Sequence, residues 1–367
     1  MSITRIKKGQ IIDYMLEQIL TSKNVINKVS ENFNLSKTTI YRYLRELEEK
    51  GVIKKKNRGN YELVKTSYNF IYDNDGSLEE DYIYKRDIEP LISSLPENVR
   101  KIWMYSFTEM FNNAIEHSES EKISCYVECN YIETTILIMD YGVGIFKKIQ
   151  DYFGYNSIDD AINELFKGKI TTDTDNHSGE GIFFTSRLMD QFSAISGGKF
   201  FTHSNHDEFL NTLKEEDDIN ILTHDKGTVV YMRLANRSHK QLVEVFDMFS
   251  DVDNGFNKTS IPMKNVYGNS FPVSRSQARR LYNRLDQFDE VELDFKDVEE
   301  IGQAFAHELF VKFANNNPNI KLSVVNSNQR IDAMINHVKN TRSQLYKPWS
   351  ARRTTKSPPV NLFTGGD

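Results

Sequence analysis

Trp103–Glu116 reads WMYSFTEMFNNAIE, and the reading of this stretch decides the middle of the chain. Trp103, Phe107, Met110, Phe111, Ala114 and Ile115 recur at intervals of three and four, which predicts a helix with one buried stripe. Glu109 and Asn113 are one helical turn apart, so they project from the same face. A carboxylate there can orient and deprotonate a water. An amide oxygen one turn later can ligate a Mg²⁺ that bridges phosphates. Alone the pair is a weak signal, because many helices carry Glu and Asn at that spacing.

The segments that follow strengthen it. Ile123 to Asn130 and Thr134 to Met139 alternate as a hairpin pair would. The second strand ends in Asp140-Tyr141-Gly142-Val143-Gly144-Ile145. An aspartate at a strand end can accept the amino proton of adenine, and glycines after it let backbone pass close to a flat base. Further on comes Ser178-Gly179-Glu180-Gly181-Ile182, followed by a helical pattern from Phe183 to Phe192. Glycines that open a helix offer N–H groups and a positive dipole end to phosphate.

In order, E-x-x-x-N, then D-x-G-x-G, then G-x-G before a helix, resembles the GHKL family of gyrase-type ATPases, histidine kinases and anti-sigma-factor serine kinases. The resemblance spans roughly 98–235 and closes with a strand from Gly227 to Leu234. It implies a Bergerat α/β sandwich with ATP and Mg²⁺ between helices and one sheet face. By position Glu109 would be the general base and Asn113 the Mg²⁺ ligand. Asp140 would read adenine, with Gly142 and Gly144 beneath the base. Gly179, Glu180, Gly181 and Ile182 would form the phosphate box. The intervening segment reads as an ATP lid, with an apolar face of Ile158, Ala161, Ile162, Leu165 and Phe166. In that reading Lys167-Gly168-Lys169 and Thr171-Thr172 are mobile, and Thr172 joins the ATP contacts. The plainer alternative is a structural insertion that never meets nucleotide. His117 and His177 read as satisfied or solvent-facing histidines. No dimerisation helix pair for a phospho-acceptor histidine is present in the pattern, which argues against a conventional sensor kinase.

Upstream, residues 1–64 read as three helices and a hairpin. Ile11, Ile12, Met15, Leu16, Ile19 and Leu20 mark the first helix, and Val25, Ile26, Val29 and Phe33 the second. Ser36 is placed as the N-cap of the third, whose buried stripe is Ile40, Tyr43, Leu44 and Leu47, and Gly51 ends it. Val52 to Val64 then reads as a two-stranded wing. The segment from Asn24 to Val64 resembles winged helix-turn-helix domains of bacterial regulators. The resemblance implies that Lys37, Thr38, Thr39, Tyr41 and Arg42 meet the DNA groove, while Lys55, Lys56 and Arg58 meet phosphate. A winged helix used for protein contact or dimerisation is the alternative.

Downstream, residues 258–340 alternate strand and helix, with helices over Ser274 to Phe288, Gly302 to Phe313 and Asn328 to Val338, the mark of an α/β layer. VELDFKDVEEIGQAFAHELFVKF (residues 291–313) resembles a STAS-like domain of unknown function often found behind GHKL domains. Related anti-anti-sigma proteins carry a phosphorylatable Ser or Thr where this chain has Gln303 and Ala304. That departure argues against self-phosphorylation. It leaves a docking surface or a ligand sensor, with Phe305, His307 and Glu308 also at the site and packing explaining them equally well.

The expected organisation is therefore multidomain, α+β and α/β: a winged helix over 1–64, a connector over 65–97, the ATP-binding domain over 98–250, the STAS-like domain over 258–340 and a flexible tail over 341–367. Residues 1–64 carry net charge +6 within a chain of −6, so a basic end sits on an acidic body. That suits local contact with a polyanion. No run is long and apolar enough to span a bilayer, and the N-terminus does not read as a secretory signal. Cys125 and Cys129 read as free thiols in a cytoplasmic protein. The expected function is a bacterial transcription regulator in which a slow Mg-dependent ATPase controls the DNA reader, with a protein partner at the STAS-like domain or a homodimer as further contacts. The alternatives are a serine/threonine kinase acting on a partner protein, and a nucleotide-bound interaction protein without catalysis.

Overall fold

The computed structural model describes residues 5–21, 24–57, 60–170, 179–203, 226–251, 255–268 and 271–345. They fall into two compact units, 1–266 and 267–367.

The first unit opens with α1 (Arg5–Thr21), α2 (Val25–Phe33) and α3 (Lys37–Glu49), then the hairpin β1 (Ile53–Asn57) and β2 (Asn60–Leu63). The predicted stripes close into one core: Ile11, Met15, Leu16 and Ile19 of α1 meet Val25 and Val29 of α2 and Ile40, Tyr43, Leu44 and Leu47 of α3. Ser36 caps α3 as expected, its hydroxyl accepting the Thr39 N–H at 3.3 Å. Gly51, at φ 67°, turns the chain out of the helix.

The rest of the unit is built on a six-stranded antiparallel sheet in the order β3-β4-β5-β8-β6-β7. Its strands are β3 (Thr66–Asp73), β4 (Lys122–Cys129), β5 (Glu133–Asp140), β6 (Gln191–Ser196), β7 (Lys199–Thr202) and β8 (Val229–Ala235). The stretch expected to be a connector, 65–97, instead supplies β3, which pairs with β4 along its whole length from Thr66 opposite Cys129 to Asp73 opposite Lys122. The physical reason lies in its period of two: Tyr68, Phe70 and Tyr72 share a face, and Tyr72 is buried against Phe111. After it, α4 (Glu80–Ile83), a π-helical turn (Tyr84–Ile88) and α5 (Glu89–Ile92) pack beside α6 (Glu97–His117).

One sheet face is covered by helices. Trp103, Phe107, Met110, Phe111 and Ala114 of α6 are buried, as the opening stretch predicts. They share the core with strand residues such as Ile123, Val127, Ile136, Ile138 and Met232. α7 (Ile145–Phe153) and α8 (Ile158–Lys167) pack on each other, and α9 (Gly181–Leu188) and α10 (Leu242–Phe249) pack beside α6. Lys240 Nζ donates to the carbonyls of Leu188 and Met189 at 3.0 and 2.9 Å, closing the end of α9 with a cation. The unit ends with the short pair β9 (Ser250–Asp251) and β10 (Gly255–Phe256), then β11 (Lys258–Pro262).

In the second unit α11 (Arg275–Tyr282) starts at a complete capping box between Ser274 and Gln277. The helix expected to reach Phe288 stops at Tyr282, because Asn283 turns extended and Arg284 takes φ 61°. β12 (Glu290–Asp294) and β13 (Lys321–Val325) pair in parallel, as strand-helix alternation requires. Between them runs α12 (Gln303–His307), which continues as a π-helical turn (Glu308–Phe313), and α13 (Gln329–Leu345) follows β13.

Candidate functional site

A cavity of about 310 Å³ lies between α6 and the sheet. Its floor is Ile138, Asp140, Phe192, Ala194 and Val230, neighbours across β5, β8 and β6. Its roof is α6, which brings Glu109, Met110, Asn113, Ala114 and His117 to one side. Gly179, Glu180, Gly181 and Ile182 close it at the start of α9. Segments far apart in sequence thus meet around one space of a size that suits a small ligand.

Asp140 is buried, 5% exposed, at the end of β5. Its Oδ1 accepts the N–H of Gly142 at 3.0 Å and of Thr228 at 3.2 Å. Those two bonds fix the carboxylate against the sheet end and satisfy one of its oxygens where water is scarce. Gly181 touches the proposed base directly: a Cβ there would stand 2.1 Å from Glu109 Oε2. Glu109 in turn raises the neighbouring Tyr105 phenol, whose burial is the larger cause and Glu180 a further one.

Two predicted residues do not line this space. Gly142 and Gly144 fall outside its lining. A Cβ on Gly142 would stand 1.7 Å from the Ser118 carbonyl oxygen, and Gly144, at φ 82°, is pressed against Ser196 and Gly227. The protein's own packing makes glycine necessary at both positions. Thr172, like Thr171 and His177, lies outside the described residues. The lid expectation changes as well. α8 buries Ala161, Leu165 and Phe166, and Phe166 meets Phe201 at 4.7 Å between ring centroids. Lys167, expected to be mobile, is 1% exposed and ion-paired to Glu164 at 2.5 Å. This helix is a wall of the body; Leu165 lines the cavity from it, and Ile170 from the segment that follows.

Some lining residues carry no mark in the sequence. Lys148 lines the cavity and donates to the His117 carbonyl at 2.8 Å and to Glu119 at 3.3 Å. Its signal is only its place in the helix opened by Gly144. Thr228 enters because β8 starts beside Asp140, and its hydroxyl accepts the Ile145 N–H at 3.0 Å.

The winged helix presents a second site. Lys37, Thr38, Tyr41, Arg42 and Arg45 are exposed, and the last four share a face of α3 opposite its buried stripe. Thr39 departs from the set: it is half-buried, with its N–H and hydroxyl both engaged by the Ser36 hydroxyl. Within the wing Lys54 and Lys56 flank Glu62 on one face, at 3.0 and 3.3 Å. Lys55 pairs with Tyr61, so its side chain starts from the face opposite Lys54. Arg58 lies outside the described residues. The tip of the β4–β5 hairpin joins this module to the sheet: Ile132 packs on its core, and Arg237 bonds Asp13 of α1 and the Tyr131 hydroxyl, both at 2.7 Å.

In the second unit Gln303 is exposed at the start of α12, and the preceding Gly302 donates to the Pro272 carbonyl at 2.8 Å. Phe305 is core. Glu308 is 2% exposed; burial would raise its carboxyl, but Arg279 at 2.8 Å and Lys312 at 3.0 Å outweigh burial and hold it below the usual range.

Among the described residues no helix is long and apolar enough to cross a membrane. A family model described as winged helix-turn-helix DNA-binding matches residues 22–54. A second, described as a STAS-like domain of unknown function (DUF4325), matches residues 277–332. No curated protein matches the chain. The chain is thus a mixed α/β multidomain protein with a winged helix-turn-helix segment near its N-terminus and a STAS-like segment near its C-terminus.

Proposed function

We propose that the cavity binds ATP with Mg²⁺ in the manner of the Bergerat fold, and that nucleotide there controls DNA binding by the winged helix. One observation carries the reading: Glu109, Asn113, Asp140 and Gly179–Ile182, singled out by their resemblance to the GHKL boxes, line a single cavity between helices and one sheet face. The donor set suits the ligand. Asp140, anchored through Oδ1 at the sheet end, would take a base amino group. Gly179 and Gly181 leave backbone N–H groups at a helix start for phosphate. Asn113 would hold the Mg²⁺, which supplies charge neutralisation to phosphate oxygens when bound. Glu109, one turn earlier, would take a proton from an attacking water. Lys148 adds a cation at the cavity wall.

The route to DNA follows β5. Asp140 ends the strand at the cavity, and the hairpin tip at its other end carries Ile132 against the winged helix and Tyr131 against Arg237, which bonds Asp13. A ligand that favours one arrangement of that hairpin shifts the module attached to it.

Binding and turnover of Mg-ATP by the native chain, Glu109→Ala and Asn113→Ala test the pocket. Turnover lost with binding kept is expected for the first, and Mg-dependent binding lost for the second. Equal turnover in the native chain and Glu109→Ala would remove the catalytic role. Duplex DNA affinity measured with and without Mg-ATP tests control, and identical affinities would remove it. Labelled phosphate passing to a partner protein, with no free phosphate, would favour a kinase over an ATPase.

A further inference from the structure

The two edges of the sheet are managed differently. β7, at one edge, has four residues and an exposed Lys199 tied to Asp159 at 2.9 Å. Short length and a lysine are usual guards against unwanted pairing. β3, at the other edge, has eight residues, TSYNFIYD, with no lysine, no proline and no break in its register with β4. Among the described residues no strand lies along its outer side. Ile71 is 70% exposed there, and Tyr68 is also exposed. Beside it Tyr82 is exposed, and the Arg86 guanidinium lies over the rings of both Tyr72 and Tyr82. Tyrosine and arginine beside an open, unguarded edge are the composition of an interface centre.

We propose that β3 is the seam of a two-fold homodimer, two copies pairing β3 to β3 antiparallel with Asn69 opposite the partner's Asn69. The occupant follows from the strand's own charge pattern. Lys65 and Asp73 bracket β3 and lie equally far from Asn69. In that register each Lys65 stands opposite the partner's Asp73. Within one copy Asp73 is already paired with Lys122, and Lys65 with Glu128 at 2.7 Å. Across the seam Asp73 then stands between Lys122 of its own sheet and the partner's Lys65, which reaches diagonally to the partner's Glu128, with alternating sign at every step. A one-residue slip is excluded, because it would put the buried face of one sheet level with the solvent face of the other. The remaining pairs are apolar or neutral: Tyr68 with the partner's Phe70, Ser67 with the partner's Ile71, and Thr66 with the partner's Tyr72. The dimer is independent of what the cavity binds.

Sedimentation of the full chain should show a dimer. Ile71→Lys should sediment as a monomer with an unchanged melting profile, since the side chain replaced is largely exposed. Register is tested by oxidation in a Cys129→Ser background. Asn69→Cys should form a covalent dimer with itself, because directly opposed residues lie within disulfide reach. Ser67→Cys and Ile71→Cys should each stay uncrosslinked alone and join only when mixed. A native chain that stays monomeric at the highest soluble concentration overturns the proposal. So does a dimer that survives Ile71→Lys, or one in which Ser67→Cys crosslinks to itself and Asn69→Cys does not.

Discussion

The winged helix and the cavity body spend their residues in opposite ways. On α3 the side chains that would read DNA stand outside a core they do not help to build: Tyr41 is half exposed while Tyr43, two residues on, is buried. Around the cavity the residues that would bind ligand also hold the body together, as Gly179 against Ile170 and Gly181 against Glu109 show, and Gly142 beside them presses on Ser118. Function and stability should therefore separate under mutation in the first region and stay entangled in the second.

The largest effect is expected at Gly142→Ala. The new Cβ would overlap a backbone carbonyl at 1.7 Å, and backbone cannot swing aside. A loss of about 3 kcal/mol or more is expected, read as a drop in the denaturation midpoint. Near-native stability for this variant would dissolve the contrast. Gly181→Ala is next. Its Cβ meets the far end of a flexible Glu109 side chain, which can turn away. The fold should survive within about 1.5 kcal/mol, while ATP binding and turnover fall together. Arg42→Ala should then weaken DNA binding by about 1–3 kcal/mol with the melting temperature unchanged, measured as affinity against salt. Loss of stability there would show that α3 is built like the cavity after all. Ser36→Ala removes the cap of α3 and should cost about 1 kcal/mol, with DNA affinity following only through the helix start. The smallest effect is chemical. Burial pushes the Cys125 thiol well up and leaves it 1% exposed, so alkylating reagents should label Cys129 first and Cys125 only on unfolding.

Legibility followed the same divide. The winged helix could be read residue by residue, because its stripes, Ser36 and Gly51 act through neighbours three or four positions away. The cavity could be read only at the residues that the GHKL resemblance marks, Glu109, Asn113, Asp140 and Gly179–Ile182. Its apolar floor of Ile138, Phe192, Ala194 and Val230 has no local signature, since any strand of a buried sheet supplies such residues. β3 lies inside the stretch read as a connector although Tyr68, Phe70 and Tyr72 alternate, because only its distant partner β4 makes that short alternation a strand. Lys167 reads as a solvent-seeking cation, yet Glu164 one turn back neutralises it inside the core. Gly142 and Gly144 read as glycines beneath a flat base, whereas the neighbours pressed against them are Ser118, Ser196 and Gly227.

Sequence by itself determined the helices of the winged module, the strand ends and helix starts of the cavity, and the alternation of the STAS-like domain, because periodicity and capping are properties of consecutive residues. Tertiary structure alone decided that β3 joins the sheet, that α8 is a wall, that Gly142 presses on Ser118, and which edge of the sheet is left open. Those outcomes depend on which distant segments share a face and how closely their backbones approach, and pairing across a sheet is set by neighbours that lie far apart along the chain.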